Sequence, residues 1–250
     1  MAQFFTDFTT EASEPAISSV PYEFGTTKAD VMNALFRKVY QYMALGLILT
    51  SLTAYFTVSS QAMLRMFFSS QVPMVIVGIL EIGLVLSLSA GINKISSGTA
   101  LVLFTVYSVL NGILCSSVLL VYTHESVYQA FFATAGMFGA MSLYGLYTQK
   151  DLTSLGSFLT MGLFGLIIAS VINLFIGSST GEFVISIFGI FIFLGLTAWD
   201  TWKIKNFSNY LDLNDSQSTS KVAVLGALAL YLDFINIFLY LLRFFGRERN

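Results

Sequence analysis

Long apolar runs without alternation, parted by short polar breaks, dominate the chain after its first forty or so residues. A helix needs about 20 apolar residues to cross a hydrocarbon core of about 30 Å, and seven windows qualify: roughly 38–60, 72–93, 98–122, 127–148, 156–177, 182–202 and 222–243. The breaks at Thr123–Ser126 and Gly177–Gly181 are too short to hold a domain, so the pattern predicts one bundle. β-Branched residues are frequent, but runs this long and uniform do not suit the alternating strands of a membrane barrel. The expected fold class is an all-α integral membrane protein with seven transmembrane helices. A flexible polar tail is expected over residues 1–30, the helical domain over 31–246 and a short polar tail over 247–250.

Spacing adds detail inside the runs. The seventh window is apolar nearly all round, the pattern of a helix enclosed by others. Gly112 with Ser116, and Gly136 with Ala140, repeat small residues at four-residue spacing, which lets helices approach closely in lipid. No convincing internal repeat is visible, which weakens an inverted-repeat transporter.

Composition agrees with the pattern. Of 250 residues, 56% are hydrophobic and only 10% charged, and the mean hydropathy is +0.77. Soluble domains carry about 25% charged residues, so most of this surface must face something apolar. The net charge of −2 and the scattered basic residues exclude a nucleic-acid partner. The single Cys115 cannot form an internal disulfide, and the single His124 excludes a multi-histidine metal site. Asp7, Glu11 and Glu14 precede the first lysine, whereas a secretory signal needs a basic start and then an apolar run.

Lys and Arg near the span ends set orientation. With the N-terminus inside, the inner side holds Lys28, Arg37, Lys38, Lys94, Lys150, Lys203, Lys205 and Lys221, and the outer side Arg65, Arg243, Arg247 and Arg249. That balance favours a cytoplasmic N-terminus. The three terminal arginines then fall outside, unless the last segment does not fully cross.

An acid near the bilayer centre costs about 2.5–3.5 kcal/mol on insertion scales, so it faces the bundle interior and marks a pathway or relay. Glu81, Asp200 and Asp233 qualify. Asp233 lies roughly 16 Å along the helix from Val222 at 1.5 Å per residue, close to the midplane. Gly226, Asp233, Asn236 and Tyr240 fall at helical spacings as one polar stripe. Asp200 sits near the inner end of its span, with Lys203 one turn away as a possible partner. Two close carboxylates in low dielectric cannot both ionise cheaply and can share a proton. Sharing holds the helices together; deprotonation forces repulsion or recruits a cation. Hard oxygen ligands favour Ca²⁺, which takes 6–8 of them, so two aspartates suit a weak, transient site. The plainer alternative is that each acid is a hydrogen-bonded structural residue, and that Asn236 and Tyr240 join helices without lining a pore.

The stretch Gly195-Leu196-Thr197-Ala198-Trp199-Asp200-Thr201-Trp202-Lys203-Ile204-Lys205 resembles the Bax inhibitor family (transmembrane Bax inhibitor motif proteins), including its bacterial members. Ala229-Leu230-Tyr231-Leu232-Asp233-Phe234-Ile235-Asn236-Ile237-Phe238-Leu239-Tyr240-Leu241-Leu242-Arg243-Phe244-Phe245-Gly246 resembles it equally, and span count and order do so over roughly residues 30–246. The resemblance implies seven helices with the last surrounded by the other six. It also implies a di-aspartyl pH sensor, Asp200 with Asp233, governing a Ca²⁺ leak, and Glu81 resembles a family acid in the second span. Some members carry a basic cluster at the inner end of that span, thought to latch the first aspartate; here Gly91-Ile92-Asn93-Lys94 leaves only Lys94 to serve. The usual Tyr-Asp is Trp199-Asp200, and the linker Asn209–Ser220 between the aspartates is polar and long.

Three functions compete. The first is a pH-sensitive Ca²⁺ leak channel without a cofactor, in a bacterial inner membrane. The second is a regulator that binds a membrane protease or acts in a cell-death pathway. The third is an intramembrane aspartyl protease, disfavoured because Tyr231-Leu232-Asp233 lacks the Gly-x-Gly-Asp context. A retinal protein is excluded, since the seventh span has no lysine for a Schiff base.

Overall fold

A computed structural model of the chain describes residues 28–209, 211, 216–247 and 249. Eight α-helices are described: α1 Lys28–Ser59, α2 Gln61–Phe68, α3 Val72–Gly91, α4 Ser97–Val121, α5 His124–Tyr147, α6 Thr153–Ile176, α7 Ser179–Ser208 and α8 Ser216–Phe245, with a short 3-10 turn Ile92–Lys94 after α3. All but α2 are long and apolar enough to span a membrane. Their ends carry local signals. The Ser96, Thr123 and Ser178 side chains accept from backbone N–H groups in the first turns of α4, α5 and α7, satisfying donors that a helix start leaves open. Gly177 closes α6 at φ 66°, a backbone conformation that glycine adopts without strain.

The last helix is central. Of its most apolar stretch 83% is buried, against 11–44% for the other six spans. Helices α1, α4, α5 and α7 pack directly on α8, while α3 packs on α4 and α6 on α7. Outward faces carry large apolar side chains, such as Leu174 and Phe175 at 81% and 84% exposure. That arrangement is stable only in hydrocarbon, so the chain is a multi-pass integral membrane protein.

Two small-residue pairs part company here. A Cβ on Gly112 would stand 2.7 Å from the Thr50 carbonyl, so α4 and α1 touch backbone to backbone there. Gly136 meets nothing within 4 Å.

The segment boundaries need correction. Helix α1 starts at Lys28, inside the expected tail, and the rest of residues 1–30 lies outside the described residues. Ser216–Ser220, expected in a polar linker, already belong to α8. The last helix runs the full depth of the bundle: beyond it, Arg247 and Arg249 join the α4–α5 turn, where Thr123 N donates to Arg247 O and Arg249 N to Val121 O. The opposite face holds the end of α5 and the α5–α6 connection, where the Leu146 and Thr148 carbonyls accept from Lys205. The C-terminal arginines therefore sit across the bundle from Lys205.

Candidate functional site

The two aspartates meet. Asp233 of α8 turns its carboxyl to Asp200 and Thr197 of α7, with the Lys203 ammonium also acting on it. Lys203 forms an ion pair with Asp200, one turn away on the same helix. Asp200, Lys203 and Asp233 are only 6%, 8% and 4% exposed. The Lys203 ammonium also lies 3.6 Å from the centre of the Trp199 ring, a contact that aids a desolvated cation. Asp233 Oδ2 has no hydrogen-bond partner among the described residues. The cluster therefore holds two carboxyls and one ammonium. With every group ionised it carries a net charge of −1, and one bound proton makes it neutral.

Sequence chemistry fixes the α7 half of this cluster. A Cβ on Gly145 would lie 2.2 Å from the Ala198 carbonyl oxygen, and one on Gly156 would overlap the Trp199 ring. Glycine at both positions lets α5 and α6 seat tightly against the turn that bears Asp200. Thr201 adds a polar tie, lying 3.0 Å from Ser142 Oγ, which is 2.5 Å from the Tyr40 hydroxyl. Helices α7, α5 and α1 are thus stitched together beside Asp200.

Glu81 lies elsewhere, in a second polar cluster. Asn111 Nδ2 donates to Glu81 Oε2 at 3.4 Å, and Glu81 Oε1 is buried without a partner among the described residues. The Tyr231 hydroxyl donates to Asn111 Oδ1 at 3.0 Å and lies 2.6 Å from Thr50 Oγ1. A cavity of about 480 Å³ borders this cluster, lined among others by Glu81, Tyr107, Asn111, Asn236 and Arg243. Because Tyr122 and Arg243 border it too, it reaches toward the face that holds the C-terminal arginines.

The polar stripe on α8 is corrected. Asn236 lines the Glu81 cavity and donates its side-chain N–H to Leu232 O. Tyr240 instead stacks on Phe193 of α7 and covers Gly189. At 100° per residue, Asn236 and Asp233 point roughly 60° apart, enough to face different neighbours. The proposed Lys94 latch is not seen: Lys94 is exposed in the turn after α3, and the ammonium on Asp200 is that of Lys203. Thr197, Thr201 and Tyr231 stood in the stretches that carry the resemblance without a role assigned, and Ser142, Asn111 and Thr50 were not singled out. Asn111, an amide inside an otherwise apolar window, was the one signal open to notice.

Among the described residues no group of three or more His, Cys, Asp or Glu could hold a metal ion. A Ca²⁺ ion at the pair would find two carboxylates where it takes 6–8 oxygens.

The model of the family described as "Inhibitor of apoptosis-promoting Bax1" matches residues 32–250. The chain belongs to the Bax inhibitor family. The inner membrane protein YbhL of Escherichia coli strain K12 is 43% identical over 212 residues, covering 85% of this chain and 91% of its own. An uncharacterized protein of Borreliella burgdorferi is 44% identical over 220 residues, covering 88% and 94%. One of Rickettsia prowazekii is 45% identical over 213 residues, covering 85% and 89%. Both stretches on which the resemblance rested lie within the matched region of this Bax inhibitor protein. None of the three names describes an enzyme.

Proposed function

We propose that this Bax inhibitor protein is a pH-sensitive cation leak channel, with Ca²⁺ as its permeant ion, gated by Asp200 and Asp233. The supporting observation is that two acids from separate spans share one buried space with a single ammonium. One proton on the pair neutralises the cluster and joins α7 to α8. Losing it leaves an uncompensated charge in low dielectric, which is costly unless the helices part or a cation enters. The Glu81 cavity, with one carboxylate oxygen unpartnered, is a suitable entrance, and its Arg243 would disfavour idle cation binding.

The same reading puts the protein in a bacterial inner membrane with its N-terminus cytoplasmic, supported by the lysine balance and by the printed name of the similar E. coli protein. An aspartyl protease must hold a water between two carboxyls, and an ion-paired Asp200 does not suit that task. The family description, as an inhibitor of apoptosis-promoting Bax1, favours a second reading: a regulator that binds another membrane protein.

The test is reconstitution into liposomes loaded with a Ca²⁺ dye. The wild type leaks in a pH-dependent way. Asp233→Asn removes the pH response more completely than Glu81→Gln. Equal pH curves for all three proteins overturn the gate. No flux from any of them, with a protein partner co-purifying, supports the regulator.

A further inference from the structure

A lateral cleft lies between α1, α4 and α5, beside the short turn that joins α4 to α5. Near the α5–α6 connection α5 is tied across to α1, through Ser142 and Tyr40. Toward the other end, beside the α4–α5 turn, a cavity of about 450 Å³ lies between these helices and α8, within the usual range for ligand sites of about 300–1,000 Å³. Its walls include Leu47 and Ala54 of α1, Val118 of α4 and Phe131 of α5, and its floor is Phe234 and Phe238 of the central helix. The mouth is flanked by Tyr128 and Phe132, which are 64% and 71% exposed on the lipid-facing surface.

The chemistry of the walls selects the occupant. Thr50 Oγ1 is engaged with Gly46 O, Ser108 O and the Tyr231 hydroxyl. Ser51 donates to Leu47 O, and the Cys115 thiol to Asn111 Oδ1. A buried water needs 2–4 polar partners, and these groups already have theirs inside the protein. The cleft runs continuously into the hydrocarbon-facing surface, so the material at its mouth is lipid tail. Tyr128 sits one turn from the start of α5, and tyrosine near a span end favours the headgroup level.

We propose that the cleft is a binding site for one phospholipid acyl chain, which enters between α1 and α5 and lies against Phe234 and Phe238. The occupied cleft gives lipid direct contact with a helix that is otherwise enclosed. Phe234 is held edge-on by Phe131 and Phe138, with ring centres 5.7 and 5.5 Å away, and it adjoins Asp233.

The experiment uses the full chain in phosphatidylcholine liposomes that carry a diazirine on the sn-2 chain. After irradiation, adducts are mapped by peptide mass spectrometry. Adducts are expected on the Phe234–Phe238 segment as well as on exposed Tyr128 and Phe132. Ser51→Phe fills the mouth from an exposed position, and Leu119→Phe fills it from α4. Each is expected to reduce the α8 adducts to background while those on Phe132 persist. Adducts confined to outward-facing residues overturn the proposal. So does persistence of α8 labelling in both variants, because the chain would then reach α8 by another route.

Discussion

Replacing Lys203 with methionine tests the charge arithmetic of the cluster. The ammonium is 8% exposed, ion-paired with Asp200, close enough to act on Asp233 and seated on the Trp199 ring. Methionine keeps most of the side-chain volume and removes the charge. The two carboxyls then need a second proton to reach neutrality. An ordinary aspartate titrates near 3.9, about 3 units below pH 7, so supplying that proton costs about 4 kcal/mol at about 1.4 kcal/mol per unit. Leaving the charge uncompensated instead costs about 3–5 kcal/mol. Both routes predict that Lys203→Met loses about 4 kcal/mol of stability at pH 7.

The first route also fixes the pH dependence. The unfolded chain keeps its carboxylates ionised at pH 7, whereas the folded variant must hold an extra proton, so acid favours the folded variant. At pH 5 the gap is about 1 unit, and the loss should shrink to about 1.5 kcal/mol. Lys203→Met combined with Asp200→Asn restores neutrality and should recover most of the loss, since removing both members of a buried pair is far milder than removing one. The protein reports on itself: its two tryptophans, Trp199 and Trp202, flank the cluster. Their fluorescence during SDS titration in detergent micelles follows unfolding, with circular dichroism as a second probe. A loss at pH 7 below about 1 kcal/mol, or one that does not shrink by pH 5, refutes the count of charges.

Two further outcomes follow from packing and hydrogen bonding. Gly145→Ala puts a methyl against the Ala198 carbonyl, which is backbone and cannot swing aside; α5 must retreat, with a loss of about 1–3 kcal/mol in the same titration, whereas Gly136→Ala, in open space, should be neutral. Tyr231→Phe removes the hydroxyl shared with Asn111 and Thr50 and should cost about 1–2 kcal/mol, read as a lowered midpoint with unchanged helical content.

Spans were legible because each is a local property of about 20 residues. The ends were not, since α1 begins at Lys28 and α7 runs to Ser208: Asp30, Arg37 and Lys205 are polar turns that extend a helix beyond hydrocarbon. Helix α2 stayed hidden because its eight residues, QAMLRMFF, are too few for a span and too apolar for an evident loop. Lys203 could be read as the partner of Asp200 because three-residue spacing places both on one helix face. The meeting of Asp200 with Asp233 was an expectation only, since it depends on how α7 and α8 are turned. Asn236 shows the limit of the same reasoning. Helical spacing grouped it with Asp233, and only the neighbours, α7 on one side and the Glu81 cavity on the other, separate two positions that lie a sixth of a turn apart.

The surroundings of the two aspartates are unequal, and that inequality says which helix moves in the proposed gate. Asp200 is held by close packing at Gly145 and Gly156, by the chain from Thr201 through Ser142 to Tyr40, and by Lys203. Asp233 is framed from α7 alone, by Asp200, Thr197 and Lys203. Its helix is flanked by two cavities, one lined by Leu232, Asn236 and Leu239, the other by Phe234 and Phe238. Close-packed interiors resist displacement, whereas space beside a helix lowers the cost of shifting it. When the carboxyls repel, the yielding element is therefore α8, sliding or turning against a fixed α7. Filling either cavity should then stiffen the gate without touching an ionisable group, and the loss of the shared proton would open nothing if α8 were packed as tightly on every side as α7 is at Gly145.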